Sequence, residues 1–332
     1  MNKPFKPMFF TFLILLGVLT LAAFVLGSAT GSFKELFNAL FFPSASDTYS
    51  IILWKLRAPR ILAAIIVGAG LSSSGCALQS ILRNPLAEPY TLGISSGASF
   101  GITLATVLGL TSINVFFLPA FSFAGTLLCI FAVYFITLRF SFSSFSLLLS
   151  GVMFGLIFSS LSMLLIAISD PNKISAAILW LFGDLSNVNI SMLWISCAFI
   201  LPLTIFLWTR SKELNALSLG EEKAHYLGVN VKQSKQIIFI VCALLTGVCV
   251  ALCGVIGFVG LIVPNLLRLF LGSDNRVLLP ASTILGGAFL LLCDTFARTI
   301  ARPLELPVGV LTGIIGGAFF LLLLIKTNRA EQ

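Results

Sequence analysis

Residues 210–236 read RSKELNALSLGEEKAHYLGVNVKQSKQ, the longest polar stretch in a chain that is otherwise almost continuously apolar. This stretch carries five lysines and arginines, and the positive-inside rule predicts that such a loop lies in the cytoplasm. Residues 219–228 show a short helical pattern between Gly220 and Gly228, in which Ala224 and Leu227 share one face. Two interpretations remain open: a solvated loop between two membrane helices, or a short helix that a cytoplasmic partner binds.

The composition predicts an all-α polytopic membrane protein. Of its 332 residues, 58% are hydrophobic and only 10% are charged, whereas a soluble domain has roughly 25% charged residues. A membrane span needs about 20 apolar residues, so residues 1–332 hold about ten spans in a single transmembrane domain, with little chain left for a soluble one. The net charge of +8 belongs mostly to loops and predicts no nucleic-acid partner.

The apolar runs and their breaks predict the positions of the ten spans. Residues 174–189 are too short and interrupted to cross, and are predicted to form a surface or re-entrant helix on the outer side. The spans are predicted at residues 8–26, 61–81, a short third from Gly93, 115–138, 147–168, 190–209, 237–253, a short eighth ending at Arg268, 277–296 and 306–325.

Small residues recur every fourth position on several spans, which predicts close helix packing. The third span has Gly93, Gly97 and Gly101 on one face, and serines beside them leave open a buried helix or one that lines a polar path. The glycines assigned to packing are Gly68, Gly93, Gly97, Gly101, Gly309, Gly313 and Gly317.

The distribution of lysine and arginine predicts that both termini are cytoplasmic, because this threading puts thirteen of these residues inside and seven outside. Four of the seven are arginines in two close pairs, Arg57 with Arg60 and Arg298 with Arg302. Guanidinium groups at the outer surface suit a carboxylate-bearing partner or an anionic substrate. The alternative is interfacial placement with local pairing, such as Asp294 with Arg298.

The sequence contains no pattern typical of catalysis or of a bound cofactor. It has no phosphate-binding loop, so any ATP hydrolysis belongs to another chain. Its seven cysteines all fall in apolar segments, and the one histidine lies in the polar loop. A soft-metal site at Cys249 and Cys253 is disfavoured, and the prediction is no metal, no cofactor and no enzyme activity.

Residues 57–101, RAPRILAAIIVGAGLSSSGCALQSILRNPLAEPYTLGISSGASFG, resemble the second and third helices of the FecCD family. Three later blocks are similar too: LGEEKAHYLGVNV (219–231), GVIGFVGLIVPNLLRLFLGSDNRVLLP (254–280) and DTFARTIARPLELPVGVLTGIIGGAFFL (294–321). The family contains permease subunits of ATP-binding-cassette (ABC) importers for iron-siderophores, haem and cobalamin. The resemblance implies the type II importer fold of ten transmembrane helices. It also implies a second permease subunit, two ABC ATPase subunits and an external substrate-binding protein as partners.

The resemblance also implies roles for individual residues. Contact with the ATPases is expected at Leu219, Gly220, Glu221, Glu222, Ala224, Leu227 and Gly228, within the coupling segment 210–236. Docking of the binding protein is expected at Arg57, Arg60 and Arg298, with Arg302 added, and the cytoplasmic gate at Ser143 and Ser144. One departure is Asn265, where the family often has histidine, and it puts in doubt any role that needs a titrating group there.

The expected function is therefore import of an iron-siderophore across the cytoplasmic membrane, with cobalamin or haem as alternatives. Whether the second permease subunit is identical or a paralogue stays open. The hypothesis from another class is an ion-coupled secondary transporter. Such a transporter needs acidic groups at mid-membrane, whereas Asp294 and Glu305 are predicted near the outer end.

Overall fold

A computed structural model describes residues 5–26, 48–110, 113–114, 116–169, 178, 180–186, 188–301 and 304–330. Every regular element in these residues is a helix. The α-helices of six or more residues are α1 (Phe5–Val25), α2 (Ala58–Leu82), α3 (Ile94–Val107), α4 (Phe117–Arg139), α5 (Ser144–Ala167), α6 (Ile190–Thr209), α7 (Ser211–Ser218), α8 (Glu221–Tyr226), α9 (Val231–Cys253), α10 (Val259–Leu271), α11 (Asn275–Thr299) and α12 (Val308–Ala330). A four-residue helix (Thr48–Ile51) and a π-helical stretch (Ile52–Arg57) lead into α2, and a short 3-10 helix (Pro89–Leu92) precedes α3.

Ten of these helices are apolar and correspond to the ten predicted spans. Within the described residues, seven are long and apolar enough to cross a membrane, and α3, α10 and the part of α12 from Val308 to Leu321 are apolar helical segments of 10–17 residues. Helices α7 and α8 are the two polar ones and lie between α6 and α9. The predicted polytopic fold is confirmed.

Helix α2 runs through the middle of the bundle and defines its two ends. Its 25 residues are about 37 Å long at 1.5 Å per residue. One end is called the arginine end because Arg57, Arg60 and Arg298 lie together there, with Arg60 in contact with α11 near Arg298. The polar-loop end is defined by α7, α8 and Arg83, whose guanidinium lies against Gly220.

Helix α2 is almost wholly buried, and small residues let its neighbours approach closely. A methyl group at Gly68 would overlap the Gly286 carbonyl of α11, and one at Gly75 would overlap Gly260 of α10. Antiparallel α11 also reaches the other end of α2, where the Ser80 hydroxyl donates to Asn275 at 3.1 Å. Backbone-to-backbone contact of this kind is how helices associate in a bilayer without a hydrophobic driving force.

The predicted glycine faces differ in what they contact. Gly97 packs against Gly125 of α4, and Gly101 against Phe121, so the third span is a tightly packed helix. Gly93 lies against α5 backbone and Gly309 against the Phe182 and Val255 carbonyls.

On α12 the glycines that face the bundle are only partly the predicted ones. No described atom lies within 4 Å of a methyl group placed on Gly313 or Gly317, while one on Gly316 would meet the Phe258 ring. Within this chain Gly309 and Gly316 are therefore the α12 glycines that face the bundle, and packing at Gly313 and Gly317 stays a prediction.

Helices α3 and α10 are too short to cross the membrane alone. They have 14 and 13 residues, about 20 Å each, against a hydrocarbon core of about 30 Å. The segments that precede them, 83–93 and 254–258, are largely irregular, with one short 3-10 helix at Pro89–Leu92. They meet inside the bundle, where the Ile256 N–H donates to the Tyr90 hydroxyl at 3.2 Å. Non-helical backbone at this depth is tolerated because protein surrounds it.

Part of the predicted surface or re-entrant segment, residues 174–189, lies outside the described residues. Its described portion packs into the arginine end. The Asp184 N–H donates to the Cys253 carbonyl at 2.9 Å, and the Gly309 N–H donates to the Gly183 carbonyl at 3.3 Å. Leu185 is fully buried. This portion therefore connects the end of α9 with the start of α12.

Candidate functional site

The polar loop folds into two helices rather than the single one that its sequence indicates. Helix α8 is the predicted one, and Gly220 and Gly228 flank it with φ angles of 117° and 81°, in a region that favours glycine. Helix α7 was not predicted, because its eight residues are too few to show a clear helical periodicity of apolar positions. The predicted shared face of Ala224 and Leu227 is wrong, since Ala224 is fully buried and Leu227 is 64% exposed.

An apolar patch on α8 and its flanks faces outward at the polar-loop end. Tyr226 is 81% exposed, and Leu219 and Leu227 are also largely exposed. Glu222 is exposed beside them, whereas Ala224 faces the bundle. Exposed aromatic and aliphatic side chains at the end of a polar loop are typical of a protein-binding surface. Tyr226 belongs to this patch, although the sequence did not single it out.

A buried lysine joins α8 to the rest of the bundle. Lys235, near the start of α9, forms an ion pair with Glu221 at 2.5 Å and donates to the Ser144 hydroxyl at 2.9 Å. The Ser144 hydroxyl in turn donates to the Ile81 carbonyl at 3.2 Å, near the end of α2. The first residue of α8 is thus connected to the first residue of α5 through one ammonium group.

The turn between α4 and α5 is tight. Ser141 and Phe142 both have positive φ angles, 54° and 56°, which is uncommon for residues other than glycine. Ser143 caps α5, because its hydroxyl accepts the Ser146 N–H at 3.2 Å. The two serines predicted at the gate therefore fix the start of α5, one by capping it and the other by linking it to α2 and α9.

A groove of about 660 Å³ opens on α5 beside this turn. Its walls carry phenylalanine, aliphatic and methionine side chains together with serine hydroxyls, and none of its lining residues is charged. The polar members are Ser141, Ser143, Ser146 and Ser150. Such a surface can accept a bulky ligand without holding it through ion pairs.

At the arginine end, ion pairs connect the start of α2, the end of α11 and the segment that precedes α12. Arg60 contacts Asp294 at 2.8 Å and Glu305 at 2.5 Å, and Arg298 lies 3.1 Å from Asp294. The i,i+4 pairing of Asp294 with Arg298 was expected as one alternative, but the two partners of Arg60 are distant in sequence. These arginines are buried rather than projecting from the surface.

Arg57 completes the cluster and donates to the Phe24 carbonyl of α1 at 2.8 Å. Together with Arg60, Arg298 and Glu305 it lines a cavity of about 180 Å³. Within the described residues, Nη1 of Arg298 is buried without a hydrogen bond. Arg302, the fourth predicted docking arginine, lies outside the described residues. Three guanidinium groups therefore line the cavity, and that of Arg298 keeps a donor for an oxygen-bearing anion.

One buried acid, Glu88, was not predicted from the sequence. Glu88 lies in the irregular segment before α3, and its carboxylate accepts the Phe258 N–H at the start of α10. Asn265 has a comparable role, because its side-chain amide donates to the Pro85 carbonyl at 2.8 Å. Both side chains connect the two interrupted spans, and the amide at Asn265 does so without a titrating group.

In the part of the chain that the structure describes, no group of three or more histidine, cysteine, aspartate or glutamate side chains is placed to hold a metal ion. All seven cysteines are buried in helices. Cys249 lies against the Val67 carbonyl, at an Sγ to O distance of 3.9 Å.

The FecCD transport family model matches residues 13–326, nearly the whole chain. This chain belongs to the FecCD transport family. Among similar FecCD relatives, the hemin transport system permease protein HmuU of Yersinia pestis is 38% identical, with 96% of each chain covered. The iron(3+)-hydroxamate import system permease protein FhuG of Bacillus subtilis is 32% identical, with 98% of each chain covered.

The FecCD fold is also seen in a solved chain of a metal-chelate type ABC transporter in an inward-facing conformation. That chain is 31% identical, with a TM-score of 0.86, and the match covers 96% of this chain and 99% of the solved one. This FecCD protein is therefore a permease subunit of a type II ABC importer, a multi-pass membrane protein and not an enzyme.

Proposed function

We propose that the imported substrate is an iron-siderophore, and that transport is driven by two ABC ATPase subunits bound at the polar-loop end. The uncharged groove on α5 carries this proposal. A large chelate whose charges are largely neutralised by its metal needs a path of apolar and hydroxyl groups that binds it weakly. The relatives named for hydroxamate and hemin transport handle iron bound to organic ligands, which supports the same class of substrate here.

The polar-loop end is proposed as the cytoplasmic end, with both chain termini on that side. The lysines and arginines of residues 210–236 support this orientation through the positive-inside rule. The exposed Leu219, Tyr226 and Leu227 form the contact surface for an ATPase, and Gly220 and Gly228 permit the turns that present α8. Closure of the ATPases on ATP would then move α8 and open the turn at Ser143 and Ser144.

The arginine end is proposed as the outer end, where an external binding protein docks. The cavity between Arg57, Arg60 and Arg298 suits an acidic side chain of that protein, because its buried guanidinium groups offer forked donors to a carboxylate. Arg302 is proposed as a further contact from its place in the sequence. A second permease subunit, identical or paralogous, would cover the open side of α5. Gly313 and Gly317 of α12 are also proposed as packing positions, because no described atom lies within 4 Å of a methyl group placed on either of them.

The test is uptake into proteoliposomes that contain this chain with its ATPase and binding protein. Radiolabelled ferric hydroxamate, haem and cobalamin are supplied in parallel, with and without ATP inside. ATP-dependent uptake of the hydroxamate supports the proposal. If haem or cobalamin is imported instead, the proposed substrate is wrong, but the proposed mechanism stands. Uptake that needs no ATPase and follows an ion gradient contradicts it.

A further inference from the structure

Lys235 is buried at an end of the bundle where other lysines are exposed. Only 3% of the surface of Lys235 is exposed to solvent, while Lys232, three residues earlier on α9, is exposed. Removing an ammonium group from water is costly unless it is paired and hydrogen-bonded. The fold therefore stabilises this lysine through specific partners.

Those partners belong to the elements that the proposed function assigns to the ATPase contact and the gate. Glu221 begins α8 and lies 2.5 Å from the ammonium. Ser144 begins α5 and accepts a hydrogen bond of 2.9 Å from the same group. Because the Ser144 hydroxyl also donates to the Ile81 carbonyl, the network includes the end of α2.

We propose that Lys235 is a positioning residue that transmits movement of α8 to the start of α5. The inference rests on the proposed function, in which α8 contacts the ATPases. Burial of Ala224 also holds α8 against the bundle, but apolar packing is non-directional. The charge-assisted hydrogen bonds of Lys235 are short and directional, so a displacement of Glu221 pulls the ammonium and with it the hydroxyl that fixes the start of α5.

A purely structural lysine gives a different result from a transmitting one. Loss of a structural pair lowers the amount or thermal stability of the transporter, but each ATP hydrolysed still imports the same amount of substrate. Loss of a transmitting contact leaves the ATPases active and separates hydrolysis from gate opening. The ratio of substrate imported to ATP hydrolysed is therefore the deciding measurement.

The experiment uses the complete transporter in proteoliposomes, with whichever of labelled ferric hydroxamate, haem or cobalamin the unmodified complex imports. Lys235→Met keeps the length of the side chain and removes its charge. The expected result is a fall of about tenfold in substrate imported per ATP, the factor that a hydrogen bond to a charged group is typically worth. Lys235→Arg should retain most of the ratio, and Lys232→Met, on the same helix but exposed, should leave it unchanged.

Glu221→Gln is the second variant and removes the other charge of the pair from a half-exposed position. It should lower the ratio in the same direction, and it decides the question if Lys235→Met does not assemble. An unchanged ratio in the assembled variants overturns the inference while the proposed function stands. Absence of ATP-dependent uptake in the unmodified complex overturns the proposed function and this inference with it.

Discussion

The carboxylate of Glu88 accepts a hydrogen bond from the backbone N–H of Phe258, and the two residues are 170 positions apart in the chain. Each lies in the irregular segment or turn that precedes a short apolar helix. Glu88 is buried and the hydrogen bond is at least partly shielded from solvent, so each partner stabilises the other. The two interrupted spans therefore stabilise each other.

Replacing Glu88 should destabilise the whole chain. Glu88→Ala leaves the partly buried Phe258 N–H without its hydrogen-bond acceptor, which costs about 1–3 kcal/mol. The midpoint of thermal unfolding in detergent should therefore fall. For Glu88→Gln the midpoint should fall less, because the amide oxygen of glutamine can still accept the hydrogen bond. Glu222→Ala, at an exposed glutamate, is the control. Equal midpoints for Glu88→Ala and the unmodified chain would contradict the pairing.

The contact between α2 and α11 should not tolerate a single added methyl group. Gly68→Ala overlaps the Gly286 carbonyl, and overpacking of this kind costs about 1–3 kcal/mol. The fraction of monodisperse protein that survives heating, measured by size-exclusion chromatography, should therefore drop. Gly17→Ala in α1 is the matched control, because no described atom lies within 4 Å of the new methyl group and alanine favours a helix by up to about 1 kcal/mol.

Removing the charge of Glu305 should strengthen docking of the external binding protein. Glu305 lies on Arg60 and lines the arginine cavity, so it competes with an incoming carboxylate. Glu305→Gln should lower the Kd about twofold to fivefold, the range of a partly exposed ion pair. The Kd is measured by biolayer interferometry on the transporter in nanodiscs.

The control for this prediction is Glu213→Gln at the polar-loop end, where a glutamate is likewise paired with an arginine, Arg210. It should leave the Kd of the binding protein unchanged. Weaker docking by Glu305→Gln would mean that Glu305 supports the site rather than competing for it.

Truncating Tyr226 should weaken assembly with the ATPases without affecting the fold of this chain. The side chain is 81% exposed, so Tyr226→Ala should leave thermal unfolding unchanged. At the centre of an interface, loss of a tyrosine typically costs more than about 1 kcal/mol, and co-purification of the ATPase should decrease accordingly. Phe135→Ala on α4, also largely exposed, should retain the ATPase. If both variants retain the ATPase equally well, Tyr226 is not part of the contact surface.

The positions of the spans could be predicted from sequence because apolar runs report directly on the membrane. Residues 190–209 were predicted and observed as α6. Helix α9 begins at Val231, six residues before the predicted span. The difference arises because Lys232 and Lys235 interrupt the apolar run, while the helical backbone continues through them. Hydropathy locates the bilayer rather than the ends of helices.

The arrangement of the sites could be predicted only in part, because their partners are distant in sequence. Arg60 contacts residues 234 and 245 positions away, and no local pattern indicates such pairs. The arginines were therefore expected at the surface, whereas they are buried. The rotation of α12, which brings Gly316 rather than Gly313 against Phe258, also depends on tertiary packing.

The pairing of the two interrupted spans also constrains how the chain matures during synthesis. Helix α3 is too short to partition stably into the bilayer as an isolated segment, and the partner of its preceding turn leaves the ribosome 170 residues later. Translation must therefore pass residue 258 before the segment around Glu88 reaches its final environment. A ribosome that stalls before that point leaves a membrane-inserted fragment with exposed polar backbone, which is the form that a quality-control protease can recognise.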